Sequence, residues 1–375
     1  MMREKTWVDG LLDYFLNSST AVKVLASIIA IVGGLIVGLV IMLILDPSRA
    51  FAGFSTILFG LFRNGTQSIG NMLYYAVPII LTGLSVAFAF RTGLFNIGAT
   101  GQLTFGAFFA VYVGVNWTFL GSFHWVVALL AGGLAGAFWG MIPGILKAFR
   151  NVNEVVASIM LNYVAMYFST LMVKTTIYNQ SVARAFGPAE SAQIPKGFFE
   201  TLTNGSSLNY GLFVAFLVTA ILHVILAKTT FGYQLKSVGF NRDASRYAGM
   251  NEKRNIILAM TIAGAVSGLA GAIMFLVPGR FLTIESNLLQ EGFTGIAVSL
   301  LGLSSPIGVL IAGIFYGSLE IGGFYLQVTT QFVPELIEII IAAIIYISAL
   351  ALFFQNIIYK TLKKRKDARM EAAHE

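Results

Sequence analysis

The residues of this chain able to do chemistry are the polar side chains set inside long apolar runs, because each is costly to place in hydrocarbon without a partner. In RTGLFNIGATGQLTFGAFF (91–109), Asn96, Thr100 and Gln102, with Gly93, Gly98 and Gly101, interrupt an otherwise apolar passage. Amide and hydroxyl groups at a helix break can hydrogen-bond a neutral polar solute without desolvating a charge. Phe88, Phe90, Phe95 and Phe105 lie around this break and offer faces for a planar ring, although a chain with 31 phenylalanines would place some there by chance.

Ionised candidates are few. Glu154 and Asn162 stand at i and i+8 with Ser158 between them, which puts all three on one helical face. Glu154 reads either as a residue of a solute path or as an interfacial carboxylate favoured by the dipole at a helix N-terminus. Glu320 and Glu338, in or near the last two apolar runs, read either as proton carriers or as carboxylates near the outer surface.

Several chemistries are excluded. Gly-Lys occurs nowhere, so there is no G-x-x-x-x-G-K-[ST] phosphate loop, and no G-x-S-x-G elbow has matching partners. His124, His223 and His374 lie far apart and cysteine is absent, which leaves no metal-ligand spacing. The chain carries no enzyme site, catalytic residue or metal site that its sequence reveals, and no cofactor of its own.

The elements that must position these residues are membrane helices. Hydrophobic residues make up 57% and charged residues 11% of the 375, too apolar for a soluble domain of this size. Crossing a hydrocarbon core takes about 20 apolar residues. Such runs, several of them short, are read at 24–45, 72–90, 102–115, 125–146, 154–173, 210–227, 256–277, 292–303, 307–322 and 334–354. The expected fold is all-α, a polytopic membrane protein of about ten spanning or partly spanning helices. The first run lacks a small-residue cleavage site and reads as an uncleaved anchor behind a cytoplasmic leader, 1–23.

With the start inside, 17 basic residues fall on the cytoplasmic side and six on the outer side, with Arg91 unassigned at a helix end. That bias is the positive-inside pattern, and it puts both termini, including a basic tail at 360–375, in the cytoplasm. The basic residues form no aromatic-interleaved patch, so nucleic acid is not an expected partner. Segment 174–209, with Pro188, Pro195 and a polar end, reads as an external loop within a permease domain spanning 24–359.

Two places depart from simple spans: the 91–109 passage, and 287–317, where the run from Gly292 to Leu303 is only 12 residues and ends in Ser304, Ser305 and Pro306. Unwound backbone at membrane depth survives only inside protein or beside water. Each break follows a long span, and the two spans run in opposite directions, which is compatible with an inverted internal repeat. Glycines four apart, such as Gly132 and Gly136 or Gly264 and Gly268, mark close helix packing.

The loop at 228–255 collects six of the 24 basic residues. Its centre, GFNRDASRYAGM (239–250), reads as a short amphipathic helix with Ala244, Tyr247 and Ala248 on one face and Arg242 and Arg246 on another. From composition alone it is either an ordinary positive-inside loop or a docking element for a cytoplasmic partner.

GLSVAFAFRTGLFNIGATGQLTFGAF (83–108), NEVVASIMLNY (153–163), VGFNRDASRYAGMN (238–251) and GFTGIAVSLLGLSSPIGVLIAGIFYG (292–317) resemble permease subunits of ATP-binding-cassette importers. The class includes ribose and branched-chain amino-acid permeases, and the match, over about 25–355, is nearest the branch that works with basic-membrane-protein type lipoproteins and imports nucleosides.

The resemblance implies that Gly239, Asn241, Ala244, Ser245, Tyr247 and Gly249, with Arg242 among them, form a coupling helix that seats in the ATPase, Ser245 standing where a second alanine is usual. It also implies a turn, NIGATGQ, with Thr100 where an acid is common, which removes any substrate contact by a carboxylate there. The partners it implies are a second, related permease, a cytoplasmic ATPase carrying the ATP and Mg, an extracytoplasmic substrate-binding lipoprotein and a nucleoside, purine before pyrimidine.

The expected substrate path comprises Phe90, Asn96, Thr100, Gln102, Glu154, Asn162 and Glu320. Alternatives are a ribose or other simple-sugar permease of the same class, an ion-coupled secondary transporter using Glu154, Glu320 or Glu338, and a passive channel.

Overall fold

The computed structural model describes residues 19–284, 287–333 and 335–349. The basic tail at 360–375, and the leader up to residue 18, lie outside the described residues. The chain divides into two compact units, one made from the ends (to Leu58 and from Gly322) and one from Phe59–Ile321.

In the first unit, α1 (Ser19–Leu45) packs along α13 (Glu335–Ala349), with Gly34 and Gly38 set against Ile344 and Ile340. A short apolar helix that the run-length reading passes over, α2 (Ala50–Phe59), lies against the end of α12 (Pro306–Thr329), where Gly322 meets the backbone of Ile57. At 10 residues it is too short to cross hydrocarbon alone, so a span-length criterion does not detect it.

The second unit is built round α3 (Thr66–Phe90), whose residues from Ala76 to Ala89 are all buried. A helix apolar on every side is a core helix. Around it lie α4 (Ala99–Asn116), α5 (His124–Arg150), α6 (Glu154–Met172), α7 (Gly211–Lys228), α10 (Glu252–Phe275), α11 (Gln290–Leu301) and the first part of α12. Between α7 and α10 come two short helices, α8 (Thr230–Phe240) and α9 (Arg242–Tyr247). The fold is all-α and polytopic: among the described residues, seven helices are long and apolar enough to cross a membrane.

The expected glycine packing is present between α5 and α10. Gly136 faces the carbonyl of Gly264, and a Cβ on Gly140 would come within 2.5 Å of the Met260 carbonyl, so only hydrogen fits at this crossing. Several boundaries differ from the apolar-run reading. Helix α3 begins at Thr66 rather than 72, α10 at Glu252 rather than 256, and α12 extends to Thr329 rather than 322. Each added turn carries polar residues that a hydropathy criterion trims and a helix tolerates.

Segment 174–209 is ordered. After a wide turn at Val173–Ile177 comes a two-residue hairpin, β1 (Tyr178–Asn179) with β2 (Arg184–Ala185). It is tied down by Ala185 N–H donating to the Leu282 carbonyl and Ile194 N–H to the Leu276 carbonyl, both at 2.9 Å. His124, buried below it, lies 2.9 Å from both Ser191 Oγ and the Val113 carbonyl, which accounts for this histidine as a packing residue.

Candidate functional site

Each residue of the 239–250 motif has a local task. Helix α8 stops at Phe240 because Asn241 is extended, and Asn241 Oδ1 then accepts from the N–H of Ala244 at 2.9 Å, capping α9. Ser245 is buried and its hydroxyl donates back to the Asn241 carbonyl. Gly249 ends the helix at φ +80°, the left-handed region that glycine enters without strain. The single amphipathic helix expected at 239–250 is therefore corrected to two, split by the Asn241 cap.

Burial also departs from the amphipathic reading. The apolar face is turned outward: Tyr247 is 94% and Phe240 91% exposed, and Ala244 and Ala248 are exposed beside them. The basic face is partly used internally, since Arg242 pairs with Glu252 Oε1 at 3.4 Å and donates to Asn151 Oδ1 at 3.4 Å. Arg242 thus fastens α9 to the end of α5 and the start of α10. The result is a rigid module presenting two aromatic rings to whatever lies beyond it.

Beneath the module sits the first break. Gly239 packs on the turn that follows α3: a Cβ on it would stand 2.6 Å from the Arg91 carbonyl and 3.0 Å from Gly93 N. Arg91, which charge counting leaves without a side, reaches across to α11, its Nε donating to the Ser304 carbonyl at 2.8 Å and Nη2 to that of Leu303 at 3.4 Å. Leu303 and Ser304 both have positive φ (56° and 49°), so Arg91 holds the carbonyls of a strained helix stop and compensates its dipole. Arg91 belongs to the end of the bundle that carries the module. A lone arginine at a span end gives no sequence signal for this role.

From Arg91 the chain turns back into the protein interior. Asn96 and Gln102 form a reciprocal amide pair, each Nδ2 or Nε2 donating to the other's oxygen at 3.0 Å, and Asn96 also donates to Ser85 Oγ at 3.1 Å. Asn162 on α6 grips both sides of the break: its Oδ1 accepts from Gly101 N–H at 2.9 Å and its Nδ2 donates to the Ile97 carbonyl at 3.1 Å. The freed backbone groups are satisfied by protein, as a break at membrane depth requires.

The two broken segments meet here. Thr100, at the start of α4, touches Gly292, at the start of α11, and Thr82 Oγ1 donates to the Glu291 carbonyl at 2.9 Å. Helix α11 runs beside the second half of α3 from Thr82 to Arg91, while α4 leaves in the opposite sense. The buried hydroxyls of Thr100 and Ser158 meet no hydrogen-bond partner among the described residues.

The expected path residues are thus distributed unequally. Asn96, Thr100, Gln102 and Asn162 do come together, but all four are buried, and three of them spend their polar groups on one another and on backbone. Asn96, Gln102 and Asn162 hold the break, and the Thr100 hydroxyl lies buried beside them. Phe90 stacks on Phe95 at 4.9 Å beside the turn, whereas Phe105 belongs to a separate aromatic cluster with Trp139.

Glu154 is ion-paired to Lys147 Nζ at 2.9 Å, next to the Asn153 side chain that caps α6, so it stands at the helix end, where the interfacial alternative places it. Glu320, partly buried on α12, lies one turn past Gly317, which packs on Met72 and Ala76, and so stands apart from the break.

An unexpected feature of α6 is its open face. Tyr163 (46% exposed) and Tyr167 (60% exposed) lie on it with Val156, Met160 and Leu171. Tyr163 is nine residues from Glu154, about 14 Å along the helix and close to the middle of a core about 30 Å thick. Tyrosine hydroxyls belong at interfaces or against partners, not in lipid at that depth.

Fold and site together define a polytopic helical membrane protein with two broken helical segments packed at its centre. The family model described as branched-chain amino acid transport system / permease component matches residues 68–349, and the chain belongs to that family of ATP-binding-cassette permeases. It is 38% identical over 340 residues to the guanosine ABC transporter permease NupP of Bacillus subtilis, covering 91% of this chain and 97% of that one. To the nucleoside permease NupB of Lactococcus lactis it is 35% identical over 351 residues (92% and 95%). To the glucose permease TsgB13 of Haloferax volcanii it is 33% identical over 296 residues (76% and 77%). In each of the two nucleoside-importing bacteria a second permease, bearing the guanosine or nucleoside name respectively, also matches. No solved structure matches at a significant level.

Proposed function

We propose that this permease carries nucleosides, purine nucleosides foremost, into the cell, driven by ATP hydrolysis on a separate subunit. The observation that carries this reading is the 38% identity to a guanosine permease along nearly the full length of both chains. A path with few ionised groups suits an uncharged solute, and the pairing of Glu154 with Lys147 removes one carboxylate that an ion-coupled transporter would need.

The partners follow from the class. A second, related permease supplies the other half of the path, in keeping with the paired permeases of the Bacillus and Lactococcus importers. A cytoplasmic ATPase binds ATP and Mg and receives Phe240 and Tyr247; an extracytoplasmic lipoprotein delivers the solute. The chain lies in the bacterial cytoplasmic membrane with both termini inside, the 228–255 loop facing the cytoplasm and 174–209 facing out. Arg91, now on the side of the module, strengthens the positive-inside bias.

Coupling would run from the α9 module through Gly239 to the Arg91–Gly93 turn, and from there to both breaks, so that closure of the ATPase shifts the two broken segments together. The test is uptake of radiolabelled guanosine, adenosine, uridine, ribose and glucose in cells with and without the gene, with ATP depleted or the proton gradient collapsed. Gene- and ATP-dependent accumulation of guanosine is expected. Uptake of sugars alone would overturn the substrate, and uptake that follows the proton gradient would overturn the coupling.

A further inference from the structure

Where α5 ends and α10 begins, the surface carries a notch of about 370 Å³ lined by Phe149, Asn251, Lys253, Arg254, Ile257 and Leu258. Its two cations have no assigned task. Among the described residues neither Lys253 nor Arg254 is ion-paired. The adjacent carboxylate, Glu252, is buried and turned to Arg242, and Asn251 Oδ1 is occupied by the Arg254 N–H at 3.0 Å. An anion entering the notch therefore meets positive charge alone, with the Lys253 ammonium 5.2 Å from the centre of the Phe149 ring.

The apolar wall of the notch continues along α5. Leu130, Leu134, Phe138, Ile145 and Phe149 are exposed on one face of that helix. From Leu130 to Phe149 the stripe runs about 28 Å, which matches the thickness of a hydrocarbon core. Phe149 then marks the hydrocarbon edge, and the two cations stand just beyond it, at headgroup depth.

We infer that this notch is a binding site for an anionic phospholipid, with the headgroup phosphate held by Lys253 and Arg254 and an acyl chain lying along Phe149, Ile145 and Phe138. A free phosphate would use the cations but leave the stripe unexplained. A soluble protein partner would not reach a stripe that runs into the bilayer. The site adjoins the module, because Glu252 and Asn251 separate Lys253 from the Arg242 anchor of α9, so an occupied notch steadies the base on which α9 stands. The inference is independent of which solute is carried.

The test is lipid retention by the full-length permease, stripped of lipid in detergent and titrated with phosphatidylglycerol or phosphatidylcholine, bound lipid being counted by native mass spectrometry. Phosphatidylglycerol is expected to bind in preference. Its affinity should fall about fivefold for Lys253→Gln or Arg254→Gln and about thirtyfold for both, the effect of about one headgroup-level charge each. Lys253→Arg should bind as the parent does, and glycerol phosphate or inorganic phosphate at equal concentration should not displace the lipid. Equal retention of both lipids, parental retention by the double variant, or displacement by the soluble phosphates would each overturn the lipid site. Unchanged lipid binding with loss of ATPase co-purification would assign the cations to the protein partner instead.

Discussion

Gly239 lies directly against the main chain of Arg91, so that a methyl group at position 239 would stand 2.6 Å from the Arg91 carbonyl oxygen. The module and the first break are in contact through backbone, with no side chain between them to absorb a movement. Forcing a methyl into such a contact costs about 1–3 kcal/mol, paid by parting the two segments. Gly239→Ala is therefore expected to insert and assemble normally yet lower nucleoside uptake about tenfold or more, with ATPase activity of the assembled complex no longer stimulated by solute. Paired uptake and ATPase assays on the same preparation check this; parental coupling in the variant would dissociate Gly239 from transmission.

Phe240 and Tyr247 project from the module almost fully exposed, although both are large and partly apolar. On the proposed function these two rings are the anchors for the ATPase, since aromatic side chains are enriched among residues that dominate binding. Tyr247→Asp should abolish uptake while leaving membrane insertion intact, and Tyr247→Ala should weaken co-purification of the ATPase by roughly thirtyfold, the loss of about 2 kcal/mol usual for a central aromatic anchor. Arg242→Ala is expected to weaken it less, because Arg242 spends its charge on Glu252.

Much of this arrangement was legible in the residues. Composition and run length gave the all-α membrane fold, and glycine spacing gave the α5–α10 contact, since both follow from one-dimensional rules about bilayer thickness and backbone approach. The position of the breaks was legible too, because Asn96, Gln102 and Ser304 stand out against apolar neighbours. What these polar groups do was not: whether an amide faces a solute or another protein group depends on a partner six residues or 65 residues away, as with Gln102 for Asn96 and Ile97 for Asn162. Arg91 and Tyr163 were missed for the same reason, their roles being set by Ser304 and by depth in the membrane, which local sequence does not encode.

The Asn96–Gln102 pair makes a stability prediction with a built-in control. Asn96→Leu leaves the Gln102 amide buried without its partner and should destabilise the protein by about 1–3 kcal/mol. Replacing both amides by leucine should cost less than the sum of the two single changes, because neither amide is left facing the lost one and the Ser85 hydroxyl loses its Asn96 donor only once. Thermal unfolding of the four variants in one detergent reads the coupling directly, and simple additivity would mean that the two side chains do not form the pair described.

The open face of α6 makes the sharpest statement about the path. If Tyr163 and Tyr167 line it, their rings offer stacking surfaces within the membrane, and base–aromatic stacking is worth about 1–3 kcal/mol. Tyr163→Ala should then raise the KM for guanosine uptake about tenfold or more with little change in the amount of inserted protein, while Tyr163→Phe, which keeps the ring, should stay near the parent. A residue that only packs against the second permease would show the opposite division: assembly of the two permeases would fall in proportion to uptake, and the KM of the surviving complexes would not move. Measuring assembly by co-purification alongside KM separates these two, and an unchanged KM in Tyr163→Ala would take the ring off the path.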